Sequence, residues 1–199
     1  MQADSLPQEL RPTPRGGVLA YWLLVNMFTP LASFISFYIT IILVVTFELP
    51  EALSTAVHLA LAGLFICYAQ SSVIHLLPGV RHWVRTSSVG LAIASLATGL
   101  LLGLQSEVPS QLRTPSVIAI YVLPVAAAQT LALFRASYRA FTWPFLGAAP
   151  FLLLTTMPFG TLISLLVRAF IGATLSTVAL WSTLAWSSQQ RRETRVRPD

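Results

Sequence analysis

The sequence predicts an all-α membrane protein: six transmembrane helices arranged as three helical hairpins, with a candidate pseudo-threefold repeat. Three observations point there. First, the 199-residue chain is 55% hydrophobic and only 10% charged, with a mean hydropathy of +0.74, whereas soluble domains carry nearer ~25% charged residues. Second, it contains several apolar runs of about the ~20 residues that cross a ~30 Å hydrocarbon core as helix. Their lack of strict in/out alternation sets aside barrel strands, the other backbone that spans lipid. Third, a pattern of markers recurs. Trp22, Trp83 and Trp143 each open an apolar segment, and Gln70, Gln129 and Gln189 each close the segment that follows. The Trp positions step by 61 and 60 residues, the Gln positions by 59 and 60.

Residues 1–15 hold Pro7, Pro12 and Pro14 among mixed charges and read as a disordered cytoplasmic tail. The membrane domain then runs over 16–187, with hairpins at about 18–77, 84–134 and 141–187. Segment one, 18–47, is too long for a cleaved signal peptide and is expected to stay as the first span. As straight helix it would measure ~45 Å. It therefore tilts, kinks near Pro30, or lays its first turns in the interface. Its polar residues Asn26, Thr29, Ser33, Ser36 and Thr40 step by 3, 4, 3 and 4, so they share one face, which lipid disfavours.

Segment two, 52–77, carries His58 in its first half and Gln70, Ser71 and His75 in its second, and stops at Pro78 and Gly79. A basic loop with Arg81, His82 and Arg85 surrounds Trp83. Segment three, 87–104, carries Ser95, Gly99 and Gly103 four residues apart, a small-residue row that permits close helix approach. Segment four, 116–134, contains Pro124, a candidate kink. Segment five, 141–157, is short and holds Pro144 and Pro150; segment six, 161–186, leads into a basic tail, 188–199.

Both tails and the loops after even segments hold ten of the twelve Arg, the exceptions being Arg113 and Arg168. The loops after odd segments hold one Arg and three Glu. The positive-inside rule then places both termini in the cytoplasm, and Trp22, Trp83, Trp143 and Trp186 in the aromatic belt of that interface. The basic surplus in loops carries topology information and is not a nucleic-acid footprint. All basic residues are Arg, which excludes lysine Schiff-base chemistry and points to a GC-rich bacterial genome, hence a bacterial plasma membrane. The one cysteine, Cys67, cannot form an intramolecular disulfide.

The repeat has two readings. Tryptophans favour interfaces, and hairpins of similar length space them evenly. Alternatively, a small residue followed by Gln at each cytoplasmic helix end (Ala69-Gln70, Ala128-Gln129, Ser188-Gln189) forms a ring of amide hydrogen bonds around a pseudo-threefold bundle. Such a ring would be a packing device first and a pore constriction second. The Trp22-Leu23-Leu24-Val25-Asn26 opening, the two Ala-Gln pairs before Arg-bearing loops, and Phe170-Ile171-Gly172-Ala173-Thr174 resemble a loose group of bacterial multi-span proteins with Trp/Gln-marked hairpins. Here no Trp follows Gln70 or Gln129, and only the first opening has the Asn. The resemblance implies hairpin repeats and no known activity.

Arg168 is the one charge well inside a span, a candidate anion-binding point with His58 as neighbour. Equally, it snorkels to the outer interface or pairs with Glu48 or Glu51. His58 and His75 lie ~25 Å apart along one helix, too far to share a haem iron within one chain, and no cofactor or metal is expected. No span contains Asp or Glu, and no hydrolase, zinc-protease or phosphate-loop motif occurs. No catalytic residue is named. The expectation is a non-enzymatic accessory or interaction protein whose partners are the bilayer and a membrane protein or second copy, docked at the Ser95, Gly99 and Gly103 row. The alternative is a solute-binding subunit, similar in size to the substrate-binding components of energy-coupling vitamin transporters, with Arg168, His58, Asn26 and Ser33 around a polar cavity. A lipid-acting enzyme stands third, without a nucleophile.

Overall fold

A computed structural model describes residues 15–77, 80, 82–103, 110–136, 138, 140–151 and 162–196, and among them every regular element is helical. The helices are α1 (Arg15–Met27), α2 (Thr29–Phe47), α3 (Glu51–Ile74), α4 (Trp83–Gly103), α5 (Ser110–Arg135) and α6 (Leu162–Val196), with a π-helical turn at Trp143–Gly147. Five stretches among the described residues are long and apolar enough to cross a membrane: Gly16–Phe47, Glu51–Ile74, Trp83–Gly103, Ser116–Arg135 and Ser164–Trp186. Six were expected. The remaining one, 141–157, falls partly outside the described residues, and its described part contains the π-helical turn.

The long first segment breaks at Phe28. Pro30 has no N–H to give to the Asn26 carbonyl four residues back. The Thr29 hydroxyl takes that carbonyl instead, at 2.6 Å. Ala32 N then bonds Phe28 O at 3.1 Å, which restarts the ladder as α2. The buried face of α2 is Thr29, Ser33, Ser36 and Thr40, and Phe34, Tyr38, Ile42 and Val45 look outward. This polar-in, apolar-out arrangement suits a lipid surround. It needs no solute to satisfy it, because Ser36 and Thr40 bond back to the carbonyls of Ser33 and Ser36. Helix α2 ends at Glu48 in the left-handed conformation, φ 50° and ψ 44°, followed by Pro50.

Neighbours in sequence are neighbours in space. The packing runs α2–α3–α4–α5–π-helical turn–α6–α1, with α1 also against α3, so the elements close into a ring. Glycines set the closest seams. A Cβ on Gly90 of α4 would lie 2.6 Å from both Pro124 O and Ala128 Cβ of α5. A Cβ on Gly99 would lie 3.1 Å from Ala56 Cβ of α3. The middle of the small-residue row thus packs inside the chain, while nothing lies within 4 Å of a Cβ on Gly103. Two buried clusters fill the ring. One, around Leu59, Ile66, Leu91, Tyr121 and Phe151, belongs to the half nearer the α3 N-terminus; the other gathers Trp22, Ile74, Trp83, Leu133, Trp143 and Leu180.

Candidate functional site

Helix α1, the first turn of α4 and the π-helical turn each deliver one tryptophan to the centre of the second cluster. The Trp22 and Trp83 ring centroids are 6.2 Å apart, Trp22 and Trp143 5.7 Å, and Trp83 and Trp143 5.6 Å, all in tilted or edge-on contact. Such pairs are favoured because a ring's positive edge meets its neighbour's negative face. All three are buried, so they form the core of one end of the bundle and not a lipid-facing belt. The reason is their N–H groups: two of the three find acceptors inside. Trp186 does sit on the outer surface, 5.6 Å from the Phe141 ring.

A continuous line of hydrogen bonds runs from these rings through the interior. Trp143 Nε1 donates to Gln129 Oε1 at 3.1 Å, and Gln129 Nε2 donates to Gln70 Oε1 at 3.1 Å. Gln70 Nε2 donates to Asn26 Oδ1 at 2.8 Å, and Asn26 Nδ2 to Trp22 O at 2.8 Å. Trp22 Nε1 then donates to Ser176 Oγ at 3.0 Å, and Ser176 donates to Gly147 O at 2.9 Å. The line leaves the π-helical turn at Trp143 and returns to it at Gly147, after touching α5, α3, α1 and α6. Its side chains are fully buried. The direction of the amides is determined by the two ends: an indole N–H can only donate, and a backbone carbonyl can only accept. Flipping any one amide would set N–H against N–H.

The local sequence explains each placement. Gln70, Gln129 and Ser176 are each followed at i+3 and i+4 by two buried apolar residues: Val73 and Ile74, Ala132 and Leu133, Ala179 and Leu180. One helical turn therefore turns the polar group and the apolar pair to the same centre. The polar position on α6 that meets the tryptophans is Ser176. Gln189 lies 13 residues further along α6, or ~20 Å by helical rise; its side chain is outside the described residues. Equal spacing does not extend to the third hairpin because its chain from Trp to polar marker is shorter. At Gly147 a Cβ would run into the Trp143 indole, so only glycine lets that ring lie over the turn.

The other candidate residues fall in different places. Asn26 is a member of the relay. Ser33 is buried on α2, its carbonyl receiving the Ser36 hydroxyl. His58 is half-buried on α3, with Nδ1 2.9 Å from Ser36 Oγ and its ring 6.2 Å edge-on from Phe37. The Ser36 hydroxyl thus lies within hydrogen-bond distance of both Ser33 O and His58 Nδ1, and the Ser36 contact engages one of the two ring nitrogens. Arg168 is half-buried on α6, which packs on α1 and the π-helical turn, whereas α3 packs on α1, α2 and α4. Helix α2 touches both α3 and α6.

Chemically, the relay is made of carboxamides, indoles and one hydroxyl, none of which exchanges protons readily near neutral pH. Each amide uses both its oxygen and its nitrogen on the protein. No group of three or more His, Cys, Asp or Glu placed to hold a metal occurs among the described residues. Comparison with protein-family models, with characterised proteins and with solved structures finds no match to this chain.

Proposed function

We propose that the chain is a non-enzymatic accessory or interaction protein of the bacterial plasma membrane, with six spans and both termini in the cytoplasm. One observation carries this reading: four fully buried polar side chains, Asn26, Gln70, Gln129 and Ser176, bond to one another and to the tryptophans. They act as a clasp that holds the hairpins together, and little polar capacity remains in that cluster for a substrate. Arg85 and Arg135 stand at the tryptophan end and Glu48 and Glu51 at the other, which supports a cytoplasmic tryptophan end. Reporter fusions to each terminus test the topology. Cytoplasmic signals from both ends fit six spans, and an outward C-terminal reporter with an inward N-terminal one fits five.

A second reading, a solute-binding membrane subunit, rests on His58, whose Nε2 is not engaged by the Ser36 bond. Mass spectrometry of the protein purified gently from its native membrane separates the two. A stoichiometric protein partner supports the accessory role. A stoichiometric small molecule, present on the wild type and lost from both His58→Ala and Arg168→Ala, overturns it in favour of solute binding.

A further inference from the structure

Four buried polar atoms have no hydrogen-bond partner among the described residues: Trp83 Nε1, Ser87 Oγ, Ser95 Oγ and Thr98 Oγ1. All four belong to α4. Positions 83, 87, 95 and 98 lie along one helix face, and none of these residues is more than 5% exposed. They differ from most of the other buried helix hydroxyls among the described residues. Thr29, Ser36, Thr40, Thr130 and Thr183 all bond back to a carbonyl three or four residues earlier. The α4 hydroxyls are turned off their own backbone. The Cys67 thiol lies beside Ser87, but sulfur is a weak partner. In a membrane interior, a polar group without a partner is costly enough that protein or ordered water nearly always supplies one.

The four atoms form two pairs. Leu91, 1% exposed, occupies the same face between Ser87 and Ser95, and a Cβ on Gly63 of α3 would meet its methyl groups. That apolar contact divides the row. In the first pair the repeat itself indicates what is lacking. Trp83 follows Gln70 in the chain as Trp143 follows Gln129, and Trp143 donates to its Gln while Trp83 does not. The Gln70 carbonyl oxygen accepts one bond, from Gln129 Nε2, and a carboxamide oxygen accepts two. An indole donor, a hydroxyl and a spare lone pair make about three polar groups, the usual complement of a buried water.

We propose that the inner face of α4 holds two buried water sites, one bridging Trp83 Nε1 and Ser87 Oγ toward Gln70, the other bridging Ser95 Oγ and Thr98 Oγ1, kept apart by Leu91. The row extends ~22 Å along the helix axis, so without Leu91 hydration would reach through most of the hydrocarbon core. The waters are therefore structural ligands in separate sites and do not form a conducting file.

The test uses the full chain in lipid nanodiscs with 15N-labelled indoles, the Trp83 signal being assigned with Trp83→Phe. Magnetisation transfer from water should reach the Trp83 indole proton but not those of Trp22 and Trp143, which bond to protein. Ser87→Ala should abolish the transfer while the Trp22 and Trp143 shifts report an intact fold. No transfer to wild-type Trp83, transfer to all three indoles alike, or transfer retained in Ser87→Ala would each overturn the first site. X-ray radiolytic labelling, which oxidises side chains beside bound water, should mark the buried residues Ser95 and Thr98 and lose the Ser95 mark in Thr98→Val. An unmarked segment would overturn the second site.

Discussion

Replacing Gln70 and Gln129 with leucine, singly and together, examines the relay directly. Leucine keeps most of the volume and removes only the amide. Gln70→Leu loses the bonds to Asn26 Oδ1 and from Gln129 Nε2; Gln129→Leu loses those to Gln70 Oε1 and from Trp143 Nε1. An interhelical hydrogen bond in a bilayer is worth ~0.6 kcal/mol on average, so each single variant should lose about 1.2 kcal/mol. The figure for orphaning a buried group in a water-soluble protein, ~1–3 kcal/mol each, would give several times more. The lower value is preferred because the unfolded helices, still in lipid, find other partners. The two singles share the Gln129–Gln70 bond. Their sum therefore counts it twice, and the double variant should be ~0.6 kcal/mol less destabilised than that sum. The assay is reversible unfolding in mixed micelles followed by tryptophan fluorescence, which reports on the indole cluster itself. If the two effects add to within ~0.3 kcal/mol, the amides act independently and there is no relay.

Three further substitutions follow from backbone and packing. Gly147→Ala drives a methyl into the Trp143 indole; it should cost ~1–3 kcal/mol and red-shift the emission as the ring leaves the cluster, and an unchanged spectrum would contradict the placement. Gly90→Ala meets the Pro124 carbonyl and Ala128 at 2.6 Å and should destabilise by ~1–3 kcal/mol, whereas Gly103→Ala meets nothing and should be neutral or slightly stabilising; equal midpoints for the two would refute the α4–α5 seam. Glu48 holds a left-handed conformation that costs a residue with a side chain ~1–2 kcal/mol, so Glu48→Gly should stabilise by up to ~1 kcal/mol in the same unfolding assay.

Periodicity made the helices and the inward face of α2 readable, because lipid penalises a hydroxyl stripe and the steps of three and four leave only one face for it. It also singled out Trp22, Trp83, Trp143, Gln70 and Gln129. What periodicity does not carry is rotation about the bundle axis or the length of each hairpin. The tryptophans were expected in an outer belt because that is where tryptophan is common, yet three turn inward where Ser176 and Gln129 accept their N–H groups. Ser176 itself was hidden among many helix hydroxyls. Its distinguishing signal was the apolar pair at Ala179 and Leu180, matching the pairs after Gln70 and Gln129, which equal spacing from the earlier markers passes over. The break at Phe28 was partly legible, since Pro30 must free the Asn26 carbonyl, but the compensating Thr29 bond needed coordinates. The unpartnered row on α4 left no trace in the pattern, because a buried hydroxyl bonded to its own helix and one turned away from it look alike in sequence.

The partnership of the first helix with the last sets an order of events during synthesis. Trp22 and its acceptor Ser176 are separated by 154 residues. At ~5–20 residues per second, α1 waits about 8–30 s after its own emergence before α6 is made. For that interval its indole and the Asn26 amide lie in the membrane without their final partners, until Gln70 supplies the first of them from α3. The ring can close only once α6 has been made, so a ribosome stalled before α6 would leave an open bundle with the Trp22 indole short of its acceptor.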